Sequence, residues 1–283
     1  MQKITEIKEL KLMANTIRKD IVKMLEEAKS GHSAGSIGMA DIFTALYFNI
    51  MKHNPENIKW KERDILILSH GHVCPVRYAA MARAGYFPVE ELKTLRKLGT
   101  RLQGHPHNLD LPGIENTAGP LGQGISVAAG MAYATKMDKK ENKVFCLMGD
   151  GEINEGQPWE AFMFAAKHKL DNLIVLIDRN YIQIDGNTED IMPLNPLDKK
   201  FEAFNFEVIE LNGNNMEELI SGFEKAKEVK GKPVVIIANT VPGKDVSFME
   251  GKSGWHGRVP NSEEKEKALK ELNEIEKKIK EGE

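Results

Sequence analysis

Short, almost uninterrupted apolar runs alternate with helix-patterned stretches along this chain, and that alternation constrains the fold more than any other feature. The runs Ile65–Leu68, Val144–Met148, Leu173–Ile177, Phe206–Leu211 and Val234–Ala238 have the length of strands and no polar face. A strand apolar on both sides must be covered on both sides, which is the condition of a parallel sheet between two helical layers. Val89–Leu98, Leu121–Met137, Trp159–Lys169 and Met216–Val229 predict helices between the runs. Near the start, Leu10, Met13, Ala14, Ile17, Ile21 and Leu25 recur at helical spacing; Gly31–Gly38 reads as a loop, and the spacing resumes through Ile42, Leu46 and Ile50. The expected fold class is α/β, a three-layer parallel sheet with helices on both faces. No linker divides the chain, so one domain over 1–283 is expected, with a C-terminal amphipathic helix at 261–283 whose thin stripe is Leu269, Leu272, Ile275 and Ile279.

The charge balance removes several classes of function. Net charge is -3 and no basic stripe is interleaved with aromatic residues, so nucleic acid is not an expected partner. No apolar run approaches the length of a membrane span, and none is expected to enter a bilayer. The first residues lack the apolar core of a secretory signal, and Cys74 and Cys146 have neither disulfide nor metal spacing; a cytoplasmic location is expected.

In a parallel sheet, ligands sit at the carboxyl ends of the strands. Val144–Met148 runs into Gly149-Asp150-Gly151-Glu152-Ile153-Asn154-Glu155-Gly156, with a helix expected from about Pro158. Glycines beside a carboxylate let backbone amides approach an anion, and an aspartate can hold a hard divalent cation bridging two phosphates. Alone, Gly-Asp-Gly is more often a simple turn. The next run ends in Asp178-Arg179-Asn180-Tyr181-Ile182, which brings an amide oxygen to the neighbouring strand end. Asp and Asn oxygens with a backbone carbonyl suit Mg²⁺, although Ca²⁺ or Mn²⁺ could use the same donors. Glu152 reads as a solvated or a helix-start carboxylate.

Gly149-Asp150-Gly151 followed by Asn180 resembles the motif of enzymes that use thiamine diphosphate. That resemblance assigns the metal to Asp150, Asn180 and the backbone of Ile182, and the Gly151 amide to the diphosphate. Further blocks narrow the branch: Ser30-Gly31-His32 with Gly38-Met39-Ala40-Asp41, Leu68-Ser69-His70-Gly71-His72, Gly104-His105-Pro106, Gly119-Pro120-Leu121-Gly122-Gln123-Gly124 and Trp255-His256-Gly257. Their order and spread from Ser30 to Gly257 resemble the first domain of the transketolase family. By that resemblance, His32 and His105 contact the carbonyl and hydroxyl groups of the sugar. His72 and His256 reach the diphosphate, with His256 also beside the reacting centre. Gly119 and Leu121 meet the aminopyrimidine, and Glu155 joins a carboxylate network between active sites. His53, His107 and His168 keep the default of an ordinary core or surface histidine, and His70 lies beside the family position held by His72. His107 stands where an acidic residue is common, Ser33-Ala34 replaces Pro-Gly, and Thr117-Ala118 replaces two threonines; these departures leave the sugar open.

In the family, the glutamate that activates the aminopyrimidine lies in a second domain. After His256 little more than one helix follows, so a separate C-terminal subunit carrying that pyrimidine-binding domain is expected, with sugar phosphates as substrates and a dimer of heterodimers as the assembly. The rival readings are the α subunit of a 2-oxoacid dehydrogenase, told apart by carbon dioxide release, and a non-catalytic module of the same fold, told apart by cofactor binding without turnover.

Overall fold

The computed structural model describes residues 3–282. The helices are α1 (Ile7–Ala28), α2 (Ala34–Gly38), α3 (Ala40–Ala45), α4 (Cys74–Arg83), α5 (Gly124–Met137), α6 (Gly156–Lys167), α7 (Thr188–Ile191), α8 (Leu197–Ala203), α9 (Met216–Glu228) and α10 (Ser262–Glu281). The strands are β1 (Ile65–Leu68), β2 (Val144–Gly149), β3 (Leu173–Arg179), β4 (Ile182–Gln183), β5 (Gly186–Asn187), β6 (Glu207–Asn212) and β7 (Val234–Asn239). The main sheet runs β1-β2-β3-β7-β6 and every pairing in it is parallel. The fold class is the expected one.

Alternate residues of the central strands feed two separate cores. Leu66, Leu68, Phe145, Leu147, Ile174, Leu176, Val234 and Ile236 point to the side covered by α1, α3, α4 and α9. Ile67, Val144, Cys146, Met148, Val175, Ile177, Val235 and Ile237 point to the side covered by α5, α6 and α8. The two-residue period of a strand sends its side chains to opposite faces, so uninterrupted apolar runs supply both layers at once. α10, capped by Asn261 and Glu264 in a reciprocal pair, lies on α1, where Asn15 Nδ2 donates to the Leu272 carbonyl at 2.9 Å.

Several local expectations change. The segment expected to be a helix over Val89–Leu98 is a 3₁₀ turn at Val89–Thr94 that ends before Arg96, whose φ is 59°. A left-handed residue cannot continue a right-handed helix. The helix expected from Leu121 starts at Gly124, because Gly122 has φ 79° and keeps the glycine-rich segment as a turn. The helix expected from about Pro158 begins at Gly156. Gly31–Gly38 contains the short α2 and is not a plain loop. α4 gives no periodic signal because it is buried from Cys74 to Ala82, leaving no polar face to mark it.

Candidate active site

β1, β2 and β3 end side by side, and the loops that leave them wall a cleft of about 350 Å³. Its lining includes His32, His72, His105, Gly119, Leu121, Asp150, Gly151, Asn180, Ile182 and His256. Glu155 is not among the lining residues. It is exposed at the N-cap of α6, its side chain against Gly122.

Asp150 follows β2 and is almost fully buried. Its Oδ2 accepts from Arg179 Nη1 at 3.0 Å and from the Tyr181 backbone N–H at 2.8 Å, while Oδ1 accepts from the Gly151 N–H at 2.8 Å. Burial pushes its pKa up, and the Arg179 guanidinium and these amides oppose that push. Asn180 Nδ2 donates to Asp178 Oδ2 at 2.8 Å, and its Oδ1 accepts from the Ile182 N–H at 2.9 Å. Asp178 also accepts from the Thr240 hydroxyl, and burial raises its carboxyl to about 7. The antiparallel ribbon β4–β5 brings Ile182 and Gln183 beside this corner.

The histidines gather at the other end. Ring centroids lie 5.0 Å apart for His32 and His72, 5.5 Å for His32 and His256, and 5.3 Å for His72 and His256. Burial, with the neighbouring His256, Arg96 and His105, lowers His32 to about 4; burial also lowers His105 and His256, and takes His72 well down. Neutral imidazoles therefore line the cleft near pH 7, each with one donor and one acceptor nitrogen. His70 has a different occupation: its ring nitrogens lie 3.0 Å from the Leu147 carbonyl and 3.0 Å from Met39 Sδ, burying it as a structural post. His53 packs between the Tyr47 carbonyl and Tyr86 hydroxyl, and His168 against Tyr133 and Phe164. His107 faces Asp110.

Glu152 corrects its sequence reading. It is 3% exposed, not solvated. A 3₁₀ turn, Gly151–Asn154, swings its side chain back beneath the strand ends. There it accepts from the Ser69 hydroxyl at 2.5 Å, from the Gly122 N–H at 2.7 Å and from the Gly149 N–H at 3.0 Å. Burial raises its pKa against those bonds. Ser69 Oγ in turn accepts from the Gly124 N–H at 3.0 Å, so one carboxylate ties the glycine-rich turn to β1 and β2. Ser69, Asp178 and Arg179 carry a signal in the sequence, a polar group placed directly at the end of an apolar strand; Glu152, three residues past β2, carries none.

The donors present fit a diphosphate with a divalent cation. Asp150, Asn180 and the Ile182 carbonyl supply hard oxygens, and among the described residues two nitrogens of the cleft lining, His32 Nδ1 and Gln183 Nε2, are buried with no partner. A family model described as transketolase, thiamine diphosphate binding domain, matches residues 9–278. The chain belongs to the transketolase family. Its class as an enzyme is that of its family, a transketolase and hence a transferase. It is 45% identical to the 6-deoxy-6-sulfo-D-fructose transketolase subunit SqwG of Clostridium sp. (strain MSTE9), over 93% of this chain and 96% of that one. To one of the named subunits of the apulose-4-phosphate transketolase of Phocaeicola vulgatus it is 42% identical, over 98% and 99% of the two chains. Among solved structures, the transketolase of Campylobacter jejuni superposes with a TM-score of 0.88 at 37% identity, covering 93% of this chain and 42% of that one. The chain thus matches the length of the named subunits and spans well under half of the longer transketolase.

Proposed function

We propose that the chain is the thiamine-diphosphate-binding subunit of a two-chain transketolase, which moves a two-carbon ketol unit from a ketose donor to an aldose acceptor. The observation that carries this reading is the convergence of Asp150, Asn180, His32, His72, His105 and His256 on one cleft at the strand ends. Asp150, Asn180 and the Ile182 carbonyl would hold Mg²⁺, and Ca²⁺ or Mn²⁺ has access to the same oxygens. Gly151, His72 and His256 would receive the diphosphate, and Gly119 and Leu121 the aminopyrimidine. Thiamine diphosphate, when bound, supplies a nucleophilic carbon and an electron sink.

The chain's own residues orient the sugar and handle protons. His32, His105 and His256, neutral near pH 7, can each donate to a sugar oxygen from one ring nitrogen and accept a proton at the other. His32 Nδ1, buried without a partner among the described residues, is an atom available to a substrate carbonyl or hydroxyl. Glu155, exposed beyond the cleft, would join a carboxylate contact with a neighbouring active site.

A separate C-terminal subunit carrying the pyrimidine-binding domain would complete the site, in a cytoplasmic dimer of heterodimers. Two relatives of matching length, each named as one subunit of a transketolase, support this division. The substrates in their names are ketoses with a sulfonate or a phosphate, which supports an anionic ketose as the substrate class here. Ketol transfer should need both chains together with thiamine diphosphate and Mg²⁺. Robust turnover by this chain alone would refute the two-chain reading.

A further inference from the structure

We propose that Arg96 is a positioning residue for the two sugar-facing histidines, its guanidinium tying the loop that carries His32 to the loop that carries His105. The proposal rests on the assignment of those histidines to the substrate made above. Arg96 Nη1 donates to Ser30 Oγ at 2.9 Å, just ahead of His32 in the chain. Arg96 Nη2 donates to the carbonyl of Gly104 at 3.3 Å, and Gly104 directly precedes His105. The guanidinium lies flat against Gly104: a Cβ there would sit 2.7 Å from both Cζ and Nε. The absence of a side chain at Gly104 thus lets the guanidinium lie against the backbone there. His32 and His105 come from distant parts of the sequence, and no strand pairing links their loops.

The arginine is held for this task at a local cost. Its φ of 59° is unfavourable for a residue with a side chain, and the Arg96 N–H donates to the Leu102 carbonyl at 2.9 Å to close the turn. The same turn ends the 3₁₀ segment Val89–Thr94 and aims the side chain at the two loops. The side-chain bonds of Arg96 go to a hydroxyl and a carbonyl; no carboxylate among the described residues pairs with it. Its charge is left to act on the imidazoles. The groups around His32 are His256, Arg96, His105 and His72, and Arg96 is the charge that acts on His105. Burial lowers both histidines first, and the arginine adds to that effect.

Two substitutions separate bridge from charge. Arg96→Lys keeps the charge, but one ammonium cannot span the Ser30 hydroxyl and the Gly104 carbonyl as a guanidinium fork does. Arg96→Met removes both. Histidine titrations by NMR on the full chain should give higher pKa values for His32 and His105 in Arg96→Met and parental values in Arg96→Lys. In the two-chain enzyme, kcat should fall about tenfold or more in Arg96→Met and by less in Arg96→Lys, with thiamine diphosphate affinity within about twofold of the parent in both. A folded Arg96→Met with parental kcat, KM and titrations overturns the proposal. Should Arg96→Met fail to fold, Arg96→Lys decides: reduced kcat with parental titrations sustains the proposal, and unchanged kcat overturns it. A parental enzyme inactive in ketol transfer would sink the functional reading instead, and the bridge would then be decided by the His32 and His105 ring chemical shifts of Arg96→Lys, displaced if the guanidinium ties their loops and parental if it does not.

Discussion

At one end of the cleft Asp150 and Asn180 emerge from adjacent strands, each fixed by hydrogen bonds to its immediate surroundings. At the other end His32, His72, His105 and His256 arrive from separate loops, and His32 Nδ1 has no partner among the described residues. The parallel sheet sets the first corner, because neighbouring strand ends sit about 5 Å apart wherever the strands pair. Nothing so regular sets the second. It depends on side chains that tie loops together, Glu152 for the glycine-rich turn and Arg96 for the His32 and His105 loops. The proposed cofactor anchor is thus inherited from the fold, and the proposed sugar-recognition end is assembled on it.

If that division is right, damage at the two ends should separate cleanly. The largest effect is expected at the histidines: His32→Ala or His105→Ala should lower kcat for ketol transfer about 10²- to 10⁴-fold while leaving thiamine diphosphate binding intact. Calorimetry beside steady-state kinetics checks this, and equal loss of binding and turnover would break the comparison. Asp150→Ala should do the reverse, weakening metal-dependent cofactor binding about 100-fold or more, since even outer-shell changes at metal sites typically cost about 10- to 100-fold. Because that change also removes one of the two carboxylates paired with the buried Arg179, Asp150→Asn should be run beside it; a parental affinity in the folded Asn variant would argue against the metal corner.

Smaller effects test how the loops are held. Glu152→Gln turns an amide N–H toward an N–H donor that the carboxylate satisfied, and should destabilise the chain by about 1–3 kcal/mol in denaturant melts. An unchanged midpoint would mean that the glycine-rich turn is held by other contacts. An effect of comparable size is a pH dependence at His70, whose ring is lowered to about 4 by burial. Between that value and the unfolded value near 6.5, the unfolded chain binds more protons, so stability rises with pH across the window and is lost as pH falls through it. Between pH 7 and pH 5 His70 alone contributes on the order of 2 kcal/mol. Melting curves at pH 7 and pH 5 should diverge less for His70→Gln than for the parent; identical divergence would contradict the assignment.

The strands and the first corner are legible in the sequence for the same reason: both are local. Val144–Met148 and Leu173–Ile177 announce buried strands by composition, and Asp150 and Asn180 follow them directly. The histidines of the second corner emerge only through resemblance, since no periodicity links His32 to His256. Glu152 misleads because helix-start carboxylates are usually solvated, and its three partners come from Ser69, Gly122 and Gly149, whose approach the sequence does not encode locally. Arg96 hides inside a helix expectation, where a left-handed residue leaves no compositional trace unless it is glycine or asparagine.

The most direct test is a crystal structure of the full chain soaked with thiamine diphosphate and Mn²⁺, read by the anomalous signal of the metal. One peak should appear within about 2.0–2.3 Å of an Asp150 carboxylate oxygen, the Asn180 amide oxygen and the Ile182 carbonyl, with the diphosphate against Gly151. A cofactor bound with its metal elsewhere, or with Asp150 still closed on Arg179 and out of contact with the ion, would contradict the assignment.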